Sequence, residues 1–468
     1  MTRVEAAKRR VVVGDDDASV TARAGLSLVA EVDRVLGVAE AFETSVGWLK
    51  ARRRGLGIAE VLLSMAESML ADGDFMCDLD HLRADRAGGA LRAVPDTPAT
   101  STFVLAASRL DDGGVAAIEA AMGTLISRWF VAMPARRRDQ LVTCRPSIDL
   151  DGTDIETYGR KKQRVAWNHE GRRVGRAHPA TWAEAGVVLA GDLGSGADDP
   201  RPAAPDLIAR AVANLPEGLG RPRVRCDAGY FDAKVAHGAL AAGADYAIAA
   251  KRNTAAWRSL ASVPEEAWED CFDMPGGQAA WVDYAPGGWP EGTRTVVRRV
   301  RVDPDEVRSD PRSRRRRTIR PDQLALALTG QASDVYAYSF ICTNLDGTAE
   351  MIEYWFRERA WIEERHKDSK LGYSLIHLPS GKFRVNQAWM WSAYLATNLS
   401  AFVQTLGQVD TDSVRAHAKR ARRELFCLPA RVLSHARRIV VRFAAGVAEV
   451  AFRTAWDNLR ALPTAPAG

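Results

Sequence analysis

The sequence predicts an α/β catalytic core, interrupted by a mainly β insertion and flanked by α-helical N-terminal and C-terminal regions. Three observations predict it. Apolar residues recur at helical spacing up to about residue 144, and from 145 short alternating strands take turns with helical stretches. From about 254 to 335 a stretch rich in Trp, Pro, Gly and Arg breaks that alternation before an apolar strand returns.

Taken in order, residues 1–18 carry no apolar period and read as a loose basic N-terminus. Residues 19–144, from "GLSLVAEVDRVLG" through "RLDDGGVAAIEAAMGTLISRWFVA", alternate helical runs with Gly and Asp breaks. The first part of the core, 145–253, contains the strand-like "RPSIDLDGT", "TWAEAGVVLAGDL", "RPRVRCDAGY" and "ADYAIAAKRN". The helices "APDLIARAVANL" and "FDAKVAHGALAAG" lie between them. In the insertion, 254–335, "GGQAAWVDYAPGGWPEG" and "RTVVRRVRVD" predict β-hairpins. The strand "DVYAYSFICTNL", a charged helix and "VNQAWMWSAYLATNLSAFVQTLG" complete the core over 336–408, and 409–468 reads as a basic helical tail.

At 468 residues the chain exceeds one ordinary core and predicts three or four modules. No apolar run approaches the roughly 18 residues of a membrane span, and "MTRVEAAKRR" lacks the apolar centre of a signal peptide, so the expected location is cytoplasmic, away from any membrane. The six cysteines, at 77, 144, 226, 271, 342 and 427, include no close pair that could grip zinc, which predicts reduced, mostly buried thiols. Net charge is only +5, but Arg and Lys come in blocks at 8–10, 52–54, 136–138 and 312–317. Residues 409–468 hold eleven Arg and Lys against five Asp and Glu. Repeated basic blocks favour a polyanionic partner, most simply DNA phosphates.

Side chains two apart on a strand point the same way, so "SIDLDGT" sets Asp149 and Asp151 on one face. Asp227 sits where another strand gives way to a turn. On the charged helix, Arg359, Glu363, His366 and Lys370 fall at intervals of four, three and four and form one stripe. Met351, Trp355 and Ile362 are the expected anchors that turn this stripe toward the aspartates. Carboxylates drawn together repel unless divalent cations lie between them, and an all-oxygen ligand set suits Mg²⁺ or Mn²⁺. Two such ions can serve a phosphodiester displacement, while Arg359 and Lys370 hold phosphates. Lys251, Arg252 and the arginines at 314–317 could follow a DNA backbone. His178 in "RAHPA" reads as structural, near a turn.

At these residues the chain resembles a DDE transposase of a bacterial insertion sequence, in the branch whose closing helix carries a Tyr, Arg, Glu, Lys signature. Arg359, Glu363 and Lys370 meet that spacing; the Tyr position falls on Phe356, with Tyr354 two residues earlier. The family's "D-x-T" pattern matches "DGT" and selects Asp151 over Asp149, and its second Asp matches Asp227. "RRRGLGIAEVLLSMAESMLADGDFMCDLDHLRAD", "SIDLDGTDIETYGRKKQ" and "YAIAAKRN" look like actinobacterial-type members. The resemblance implies an RNase H-like core with a β insertion between the second Asp and the Glu. It implies two Mg²⁺ or Mn²⁺ ions held by Asp151, Asp227 and Glu363, which cut DNA at the element's ends and transfer the 3′-OH to target DNA. It also implies an N-terminal region that recognises terminal inverted repeats and a C-terminal region used in a synaptic homodimer. In relatives an aromatic residue of the insertion stacks on a flipped base, for which Trp281 and Trp289 are candidates.

Two rival readings use the same residues. An RNase H-like nuclease would cut without strand transfer or end recognition, and a transposase-derived DNA-binding protein would bind without cutting. "RRRGLGIAEVLLSMAESML" could form part of a helix-turn-helix or, equally, a pair of core helices.

Overall fold

The computed structural model describes residues 14, 17–50, 55–309, 314–332, 334–359, 372–410, 415–444 and 446–465. Fourteen strands lie among them. A small sheet joins β1 (Val20–Thr21) to the hairpin β13 (Ala430–His435) and β14 (Arg438–Phe443). The large sheet has 11 strands: β2 (Ser147–Leu150), β3 (Thr153–Glu156), β4 (Ala166–Trp167), β5 (Arg173–Trp182), β6 (Val187–Ser195), β7 (Arg223–Cys226), β8 (Asp245–Ala249), β9 (Glu269–Asp270), β10 (Gly277–Val282), β11 (Arg294–Val302) and β12 (Val335–Thr343).

β2, β7 and β8 are parallel neighbours, with Leu150 opposite Cys226 and Cys226 opposite Ile248. β5 runs antiparallel to β2 on one side, and β12, β11 and β10 continue antiparallel beyond β8 on the other. The strands of the 254–335 stretch thus extend the same sheet. That stretch also holds short helices at Thr254–Ser259, Pro304–Ser309 and Pro321–Leu328. "TWAEAGVVLAGDL" is the junction of β5 and β6, which turn back on each other at Gly186 with φ 57°.

Seven helices frame the sheet: α1 (Ile58–Leu70), α2 (Asp112–Ala132), α3 (Ala204–Ala213), α4 (Ala233–Ala241), α5 (Ala349–Arg357), α6 (Phe383–Leu406) and α7 (Val447–Ala461). α6 is apolar all round and almost wholly buried, touching α1, α2, α7 and β6. Its buried Asn398 is satisfied by the edge of β6, donating to the Val188 carbonyl at 3.0 Å and accepting from the Val188 N–H at 2.8 Å. α2 starts under its Asp111 cap, which accepts from Gly114 N–H at 2.7 Å, and stops before Pro134. Among the described residues α2 is the one helix long and apolar enough to cross a membrane, yet it packs against α6 and β6. Its buried Glu119 pairs with Arg210 at 2.5 Å.

One hydrophobic cluster runs from Leu26 and Phe42 through α1, α2, the core strands and α6 to Phe426, Phe452 and Leu459. α1 is buried on nearly every face, so the core-helix reading of "RRRGLGIAEVLLSMAESML" prevails over a groove-reading helix. The expectation of a helical tail over 409–468 is corrected by the hairpin β13–β14. Its two-residue turn is made by Ala436 and Arg437 at φ 48° and 62°, residues that carry none of the Asn-Gly signal of such turns. Of the cysteines, Cys226, Cys271 and Cys342 are buried, whereas Cys77 and Cys144 are exposed.

Candidate active site

Asp151 immediately follows β2 and Asp227 immediately follows β7. Because these strands are parallel neighbours ending in register, the two carboxylates leave the sheet side by side at its carboxyl edge. Asp227 Oδ1 accepts from the Gly229 N–H at 2.8 Å, which fixes the turn after the strand. Burial pushes the Asp227 carboxyl above its ordinary value, the Arg359 guanidinium opposes this, and neighbouring Asp151 reinforces it.

Arg359 is the cation of this corner. Its Nη2 lies 3.2 Å from Asp151 Oδ1, and its Nε is buried without a hydrogen-bond partner. The attraction of Asp151, Asp227 and Asp149 outweighs burial and holds its pKa above the usual value.

Asp149, although on the same strand, belongs to different chemistry. It faces Arg225 directly across β2 and β7 and accepts from that guanidinium at 2.6 and 2.8 Å, both side chains being buried. Arg225 also donates to the Trp355 carbonyl, and Trp355 Nε1 donates to Ser147 Oγ at 2.9 Å. These bonds lay α5 across β2 and β7 and deliver Arg359, two residues past its end, to Asp151. Ile352, Trp355 and Phe356 form the packed face of α5, whereas Met351, an expected anchor, is exposed on its flank. Phe356, at the family's Tyr position, packs into this apolar cluster, and Tyr354 meets Phe272 edge-on at 5.9 Å.

Glu363, His366 and Lys370, with Ile362, lie outside the described residues. Among those described, no three His, Cys, Asp or Glu form a group that could hold a metal ion. Lys251 and Arg252 follow β8 at the same sheet edge as the aspartates; both are exposed, and Arg252 Nε donates to the Tyr338 carbonyl at 2.9 Å. The two tryptophans are half-buried: Arg294 covers the Trp281 ring at 4.0 Å, and Trp289 packs between Phe231 at 5.0 Å and Tyr246 at 5.9 Å. In the basic run, Arg315 pairs with Glu306 at 2.8 Å and Arg316 donates to the Val307 carbonyl.

His178 sits within β5 rather than at a turn. Its Nδ1 is 3.0 Å from the hydroxyl of Tyr230, and burial pushes its pKa down to about 4, with Arg176 adding to the effect. No local spacing marks Arg225, on the strand beside β2, or Tyr230, in the turn after β7, as a buried partner. The only available signal was the proximity of both residues to Asp227.

The family Transposase DDE domain group 1 matches residues 4–309 and 321–464, nearly the whole chain. The chain belongs to the DDE transposases. It is therefore an enzyme of DNA transposition, and DDE transposases use divalent metal ions. No match is found among the curated proteins. A cryo-EM structure of a piggyBac transposase synaptic complex with hairpin DNA is similar at 10% identity, over 86% of this chain and 79% of that one, with a TM-score of 0.38. The corner of Asp151 and Asp227 suits such ions: two oxygen donors leave neighbouring strands, burial disfavours the ionised form of Asp227, and the Arg359 guanidinium lies 3.2 Å from Asp151.

Proposed function

We propose that this DDE transposase cuts DNA at the ends of a bacterial insertion sequence of the Tyr-Arg-Glu-Lys branch and joins the freed 3′-OH ends to target DNA. The observation that carries this is the side-by-side exit of Asp151 and Asp227 from parallel strands, with Arg359 arriving from α5. Glu363 is the third acid. It follows Arg359 by four residues, the spacing of the Tyr-Arg-Glu-Lys signature. The meander β2–β5–β6 beside parallel β7 and β8, with helices α3 and α4 packed on it, supports an RNase H-like core.

Asp151, Asp227 and Glu363 would hold two Mg²⁺ or Mn²⁺ ions. When bound, these ions lower the pKa of an attacking oxygen and stabilise the one that leaves. Arg359 then turns its fork from Asp151 to the phosphate beside the scissile bond, and Lys370 adds a point charge. Lys251 and Arg252 track the backbone from the same edge, while Trp281 and Trp289 would need to leave their present packing to receive a base. The partners are terminal inverted repeats and target DNA, met by a homodimer in the cytoplasm.

With Mg²⁺ and duplex DNA carrying the element's own end, we expect nicking at that end. Asp151→Ala, Asp227→Ala or Glu363→Ala should each lower it by at least about 10³-fold. Random cutting of any duplex would identify a simple nuclease, and tight binding without cutting a silent DNA-binding protein.

A further inference from the structure

We infer that the ribbon running from the end of β3 through β4 to Arg173 is a binding surface for an unpaired DNA strand, with Tyr158 and Trp167 as its base-stacking rings. This rests on the transposase reading and adds a site to it. Large aromatic rings are rarely left in water, yet Tyr158 is 88% exposed and Trp167 is 67% exposed. Around them Arg160, Lys161, Arg164 and Arg172 are also exposed, and residues 157–173 carry six Lys and Arg against one acid, Glu170.

The ribbon is held in place. Asn168 donates to Asp154 at 2.6 Å, Arg173 to the Arg160 carbonyl at 2.6 Å, Gln163 N–H to the Gly381 carbonyl at 3.0 Å, and Phe383 N–H to the Gln163 side chain at 2.8 Å. Its exposed rings are therefore presented by ordered backbone, which lowers the entropy lost on binding.

Strand register sets the direction. β5 is antiparallel to β2, with Ala180 opposite Leu150, so the residues from Ala180 back to Arg173 run on past the end of β2 that bears Asp151. Trp167 pairs with Arg173, seven residues along, or about 20 Å beyond the carboxylates. Bases in a duplex hide their faces in the stack, whereas unpaired bases offer them to Tyr and Trp, with Arg and Lys neutralising the phosphates. A strand freed near the cut has the chemistry this surface fits.

Binding of an oligothymidylate about 20 nucleotides long, measured by fluorescence anisotropy beside a duplex of equal length, tests the idea. Tyr158→Ala with Trp167→Ala should weaken the single strand at least tenfold and the duplex less than twofold; Tyr158→Phe with Trp167→Phe should restore single-strand binding. If the Ala pair melts early, Tyr158→Leu with Trp167→Leu keeps apolar bulk without the rings and carries the comparison. Unchanged single-strand binding, or equal loss for both DNAs, would overturn the site. End-specific nicking by the unaltered protein reports separately on the transposase reading.

Discussion

Asp149, Asp151 and Asp227 show how three carboxylates at or beside strand ends come to sit in different surroundings. Asp149 is buried with Arg225, and removing one partner of such a pair leaves an uncompensated charge, a loss of about 3–5 kcal/mol. Asp149→Ala should therefore lower the melting temperature sharply. Asp227→Asn should abolish nicking with no such loss, because burial already disfavours its ionised form. Thermal melts alongside the cleavage assay separate the two roles, and nicking by the Asp227→Asn variant would remove Asp227 from the machinery. Glu67 offers a second test, far from the carboxylate corner. It is fully buried, and burial pushes its pKa up to about 8 against the opposing Ala93 N–H and Arg92. A carboxyl whose folded pKa is raised binds its proton more tightly in the folded state. The stability it contributes is complete below an ordinary Glu value and is lost as pH rises through about 8. Stability should fall between about pH 5 and pH 8, and Glu67→Gln should flatten that slope in melts across the range.

Among the elements, the closing contact between the two ends of the chain is the tightest. A Cβ on Gly25 would lie 1.8 Å from the Leu425 carbonyl oxygen, a backbone atom with little room to yield. Gly25→Ala should cost at least about 1–3 kcal/mol and expose the segment around Leu425 to limited proteolysis. Unchanged melting and cleavage patterns would show that this approach relaxes freely. Some elements were legible for simple reasons. "RVRC" followed by Asp227 is an alternating strand that ends in a turn, and the structure has β7 there. The hairpin β13–β14 was not legible, because Ala436 and Arg437 adopt positive φ only when Arg438–Phe443 has a partner strand to pair with. The anchoring face of α5 was half legible: helical spacing found Trp355, but only the sheet beneath the helix decides between Met351 and Ile352.

For the whole molecule, the decisive feature is one core shared by the N-terminal helices, strands β2, β3 and β5–β8, α6 and the C-terminal segment. Arg34 donates to the Leu459 carbonyl at 2.8 Å, Arg460 pairs with Glu31 at 3.0 Å, and β1 pairs with β13, so both ends of the chain are woven together. A chain ending at residue 408 would uncover apolar surface that Phe426, Phe452 and Leu459 now fill. We expect that truncation to aggregate or to lose its cooperative melt, whereas a separable tail would leave a folded, monodisperse remainder in size-exclusion chromatography. Residue type and local period alone determined the alternation of strands and helices, the acids at strand ends and the basic character of the chain, because these are written in neighbours along the sequence. Tertiary structure alone decided that Asp149 serves Arg225 while Asp151 and Asp227 adjoin, and that α1 is core. Those outcomes depend on strand order and register, which join residues 76 apart such as Asp149 and Arg225 and leave no trace in local spacing.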